Sequence, residues 1–118
     1  MAILASSVIL MLPSAWSHSV TVVEFFEVPA GLAAWQHHSL AIYRVCGPLS
    51  KFVYALPAHI AGFRVHYPPS YDTDINERQE RNVGVLFQEQ NSVHFRAIYF
   101  RCRLLAILVT VLGGVIVY

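Results

Sequence analysis

Leu104-Leu-Ala-Ile-Leu-Val-Thr-Val-Leu-Gly-Gly-Val-Ile-Val-Tyr118 contains no charged side chain, and its reading decides the fold class. Its fifteen residues would rise only ~22 Å as a helix, against a hydrocarbon core about 30 Å thick. Reading back to Ala97 brings the apolar segment to 22 residues. Arg101 and Arg103 then stand near one end, where long guanidinium side chains can snorkel to headgroups. Tyr99 and Tyr118 fall near the two interfaces, as aromatic belts do. The competing reading is a buried strand, because Val109, Thr110, Val111, Val115, Ile116 and Val117 are β-branched. Gly113-Gly114 would turn a hairpin, but the four residues after it make a poor second strand. A transmembrane helix is therefore expected. Arg96, Arg101 and Arg103 precede the span and nothing basic follows it. The positive-inside rule then keeps the body in the cytosol, the layout of a tail anchor.

Composition agrees with a lipid contact. The chain has 118 residues, 56% of them hydrophobic and 13% charged. Soluble domains run at roughly 45–50% and about 25%. A net charge of +1 gives no field for nucleic acid or acidic substrates. The chain holds seven Arg and one Lys, a bias that an unselected reading frame also produces, so a product without function is one rival reading. Cys46 and Cys102 are expected as free thiols, since two cysteines make no disulfide framework.

The first residues offer another rival, a secreted protein. Residues 1–12 resemble a signal-peptide apolar region, with Ala15-Trp16-Ser17 as a cleavage site. The positively charged leader is missing, and twelve apolar residues are too few to span. The alternative for this segment is an apolar helix packed on the membrane surface or on the second half of the chain.

Between the ends, residues 19–28 partly alternate and offer a strand, stopped by Pro29-Ala30-Gly31. Residues 32–46 fit a helix closed by Gly47-Pro48. The apolar stretch 52–63 is interrupted by Pro57 and reads as interfacial or buried rather than as a second span. Asp74, with Glu77 three residues on, is placed to cap a short exposed helix. Residues 92–100 lean helical because the span continues them. The organisation expected is an apolar region over 1–66, a polar linker over 67–92, and a basic flank with anchor over 93–118. The fold class is a mainly α, small membrane-associated protein with a loosely packed N-terminal half.

The most specific motif is Pro68-Pro69-Ser70-Tyr71, the Pro-Pro-x-Tyr form that WW domains bind. Prolines held in polyproline II dock on aromatic grooves at low entropic cost, and the tyrosine fills a neighbouring pocket. Pro68, Pro69 and Tyr71 are thus the candidate partner-binding residues, and Arg101 and Arg103 the membrane flank. Arg101-Cys102-Arg103 also offers a juxtamembrane cysteine for acylation. Asp72-x-Asp74-x-Asn76 begins like a calcium loop, but Glu77 stands where glycine is needed and Val83 where a bidentate glutamate belongs. The six histidines show no paired-ligand spacing. No nucleophile elbow or phosphate loop is present. No catalytic, cofactor or metal residue is expected, and the chain reads as a non-enzymatic membrane protein that docks a WW-domain partner.

Overall fold

The computed structural model describes residues 2–74 and 77–117. Asn76 of the calcium-like sequence and Tyr118 of the expected aromatic belt lie outside them. The described residues form six helices and no strand: α1 Ala2–Ser17, α2 Val22–His37, α3 Pro48–Ile60, α4 Ser70–Thr73, α5 Glu80–Gln90 and α6 Phe95–Val117. A 3-10 turn, Ser92–His94, leads into α6. The expected mainly α class holds, and α6 is the helix long and apolar enough to cross a membrane.

The strand option over 19–28 is replaced by helix from Val22, and the cause is local. The Glu24 amide donates to Thr21 Oγ1 at 3.3 Å, and the Thr21 amide donates back to Glu24 Oε2 at 2.9 Å. This reciprocal capping box starts α2, and such a cap is worth about 1 kcal/mol. Pro29-Ala30-Gly31 does not end the helix but lies buried inside it. The helix expected over 32–46 is therefore the second half of α2. It stops when His38 turns left-handed at φ 54°. Gly47-Pro48 opens a helix rather than closing one, with Pro48 in the first turn of α3, where its missing N–H costs nothing.

α2 and α3 cross at Gly31. A Cβ there would run into the Lys51 carbonyl oxygen and the Ala55 methyl, so only glycine allows the approach. Around this crossing Val28, Leu32, Ala33, Ile42, Ala55, Ala58 and Val65 are buried. α5 packs over α2, and the first half of α6 packs on α3. Val83 and Phe87 of α5, within the stretch read as a linker, are fully buried in this core beside Ile98 and Tyr99 of α6. The two cysteines are free, and Cys102 is buried.

The extended residues 63–67 have no strand to pair with. Gln36 donates to the Phe63 carbonyl at 2.7 Å and accepts from the Val65 amide at 3.1 Å. Gln90 does the same on the next residue, accepting from the His66 amide at 3.0 Å and donating to its carbonyl at 2.8 Å. Two side-chain amides thus supply the bonds that a sheet ladder would give.

Candidate membrane interface

α1 runs antiparallel along α6. Leu4 packs at Gly114, and the Trp16 ring meets the Phe100 edge at 5.0 Å. The inner faces are satisfied, but the outer faces are not. Ile3, Ile9 and Leu10 on α1 and Leu112, Ile116 and Val117 on α6 are each more than half exposed, Ile116 at 83%. A contiguous apolar surface of this kind, uncovered in water, marks a contact with lipid or protein. The pair makes the molecule long, 50 Å by 30 Å by 23 Å.

At its base the pair is bolted to the body by Arg103. Its Nε donates to Glu24 Oε1 at 2.7 Å and its Nη2 to Glu24 Oε2 at 2.6 Å, a two-pronged fork on one carboxylate. The remaining donors reach the carbonyls of Ala15 (2.8 Å), His18 (2.9 Å) and Ser19 (2.8 Å). All five guanidinium N–H groups are used. The three carbonyls lie at or just beyond the C-terminal end of α1, where backbone acceptors lack helical partners and the helix dipole favours a cation. Both side chains of the ion pair are nearly buried, 13% and 14% exposed. Tyr54 adds a hydroxyl donated to Glu24 Oε1 at 2.7 Å. Burial pushes the Glu24 carboxyl up, but the Arg103 fork, the Thr21 amide and the Tyr54 hydroxyl outweigh it and hold the pKa at about 2.

Arg103 was expected to snorkel to headgroups, and the structure gives it this junction instead. Arg101 is exposed on α6, open to the surroundings as a flank requires. Glu24 was visible in sequence only as one of two acids in an apolar half. Thr21-Val-Val-Glu24 has a capping-box spacing, which signals the cap but not the ion pair with Arg103.

The Pro-Pro-x-Tyr segment lies on the body. Pro68, Pro69 and Ser70 are exposed. Pro69 has ψ −23°, helical rather than polyproline II, and begins the single turn of α4. The Tyr71 amide donates to the Pro68 carbonyl at 3.0 Å. The Tyr71 ring, half-buried, stacks on Tyr67 at 6.3 Å, whose hydroxyl donates to Asp72 at 3.0 Å. In this conformation the motif is a closed turn. Elsewhere in the body Lys51 is buried, its Nζ donating to the Ile42 carbonyl at 3.0 Å, and burial lowers its pKa. Among the described residues no three His, Cys, Asp or Glu side chains gather closely enough to hold a metal ion.

No family model, curated protein or solved structure matches this chain. Functional argument therefore rests on its own geometry.

Proposed function

We propose that the chain is a non-enzymatic membrane protein anchored by the α1/α6 pair, with the α2–α5 body on the cytosolic side. The observation that carries this reading is the uncovered apolar surface of two helices that are already satisfied against each other. Residues 104–117 rise only ~21 Å and α1 ~24 Å, so the pair enters a thinned bilayer or stops short of the far headgroups. Arg96 and Arg101 stand on the body side of the pair, which favours a cytosolic body. Because α1 presents exposed apolar side chains beside those of α6, and its last turn with the two residues after it supplies three carbonyls to the junction, we read it as part of the anchor.

Carbonate extraction of the full chain, beside a version lacking residues 104–118, tests the anchor. The full chain should stay with the membrane and the truncated one should be released. Equal behaviour of the two ends the reading.

Docking of a WW-domain protein belongs to the proposal as a second element, favoured by the exposure of Pro68, Pro69 and Ser70. It requires the α4 turn to open and Tyr71 to leave Tyr67. A peptide of residues 64–78 should then bind a WW domain more tightly than the folded chain does, and Tyr71→Ala should abolish binding of the peptide. Equal affinities of the two peptides remove this element.

A further inference from the structure

α1 ends at Ser17, and the chain bends by 84° into α2. The face of α6 that α1 covers does not end there. Arg96, Phe100 and Arg103 are spaced i, i+4 and i+7 and share that face. Trp16 covers Phe100 and the carbonyls of α1 hold Arg103, but Arg96, one turn further toward the body, lies beyond the end of α1 and is exposed. The gap left by the bend is a cleft of about 460 Å³, walled by rings including Trp16, Phe95, Tyr99 and Phe100 and bordered by Ser17, Ser19 and Arg96. Its volume lies in the range of small-molecule sites, roughly 300–1,000 Å³.

The charge pattern of this cleft is one-sided. No Asp or Glu lines it. Glu24, the acid of the junction, is already engaged by both prongs of Arg103. Arg96 makes no ion pair among the described residues. An arginine on an aromatic wall without a carboxylate presents a planar fork to a phosphate. Position along the anchor points the same way. Arg96 precedes Arg103 by seven positions, ~10 Å along the axis and on the side away from the apolar run.

We propose that this cleft binds the phosphate headgroup of an anionic phospholipid. Arg96 takes the phosphate oxygens, the Ser17 and Ser19 hydroxyls are within the same cleft to donate, and the acyl chains follow the apolar flank of α1 and α6. The assignment rests on the α1/α6 pair being the membrane anchor. It adds to that reading a lipid preference that a plain hydrophobic anchor does not have.

Vesicle flotation of the full chain tests both levels separately. Phosphatidylcholine carries the same phosphate but sets a choline cation beside it, which Arg96 repels, so its vesicles report the anchor. Vesicles in which roughly one third of the lipid is phosphatidylglycerol, whose phosphate bears no such cation, report the cleft. The full chain should float with both and bind the anionic vesicles roughly fivefold more tightly, the gain expected for one basic side chain held at the surface. Arg96→Gln should erase that gain and leave phosphatidylcholine binding unchanged. Arg101→Gln removes the same charge from a different face of α6 and should keep most of the gain. Equal loss in the two variants would show diffuse charge attraction and overturn the site, as would the absence of any anionic gain. Inorganic phosphate at matched ionic strength should leave the preference intact. If it abolishes the preference, the cleft takes free phosphate and the lipid assignment falls. Failure to float on either vesicle would sink the anchor reading itself, and the headgroup site with it.

Discussion

Among the helix pairs that close on a glycine, α2/α3 and α1/α6 meet opposite fates. α2 and α3 cross at Gly31, and α5 packs on α2 and α6 on α3, so that Val28, Leu32, Ala33, Ala55 and Ala58 are buried while Val22, Leu49 and Ile60 near the helix ends stay exposed. α1 and α6 meet at Gly114, and their outer faces are covered by nothing among the described residues. Composition separates them only in part: α2 carries Glu24 and Glu27 where α1 carries no charge, but residues 28–35 of α2 are uncharged and apolar throughout. What differs is the number of neighbours available, and this decides which apolar helix becomes core and which is left for a membrane. The two glycines differ in the same sense. At Gly31 an added methyl meets backbone, which cannot yield, whereas at Gly114 it meets the free end of the Leu4 side chain, which can.

The joint between the two pairs should show the largest effect. Arg103→Ala leaves Glu24 nearly buried without its cation, and breaking a buried pair in this way costs about 3–5 kcal/mol. Thermal unfolding of the detergent-solubilised protein, followed by circular dichroism, would read it. Adding Glu24→Gln should recover part of the loss, and strict additivity of the two substitutions would show that the fork contributes nothing. Gly31→Ala should come next, at about 2 kcal/mol, because overpacking against backbone outweighs the gain in helix propensity. A neutral Gly31→Ala would break the distinction drawn between the two crossings.

Acid should act on the joint and spare both crossings. The Glu24 carboxyl is held at about 2 in the folded chain, below its ordinary value of 4.5. Its contribution is therefore complete above about pH 4.5 and is lost as pH falls toward 2. A melting temperature measured down this window should fall in the native chain and fall less in the Glu24→Gln variant. Parallel curves would remove Glu24 from the account. The smallest effect belongs to Gly114→Ala, which should be neutral or stabilising by up to about 1 kcal/mol, as alanine favours helix and Leu4 can move aside. A loss comparable to that of Gly31→Ala would mean that the α1/α6 contact is as rigid as the core.

The sequence was most legible where one force acted alone. The run 104–118 is uncharged over its whole length, so the helix and the apolar exposure of residues 104–117 follow from hydrophobicity and length. Of the readings offered for the first residues, the structure shows the packing of α1 on the second half of the chain, against α6. Legibility failed where local punctuation and tertiary contact disagreed. Pro29-Ala30-Gly31 looks like a stop, but inside α2 the glycine serves the α3 crossing, and burial of that face outweighs the break in hydrogen bonding. The period-2 pattern over 19–28 lost to the Thr21–Glu24 capping box, a spacing that the same ten residues carry beside their β-propensity. Ile42 and Tyr43, within the helix expected over 32–46, are buried from a loop instead, since His38 ends α2 first. The polar stretch 67–92 concealed α5 because only Val83, Gly84 and Phe87 of its apolar face are needed to seat it. For the site, Arg103 was selected from its position, but its partner lies 79 residues away in sequence. No local pattern could have joined them.

The antiparallel course of α1 along α6 has a practical corollary. With Leu4 against Gly114, reporters appended beside these two positions would be delivered side by side to the same compartment by every molecule. The halves of a split fluorescent protein attached there should complement within one chain, at a rate independent of expression level.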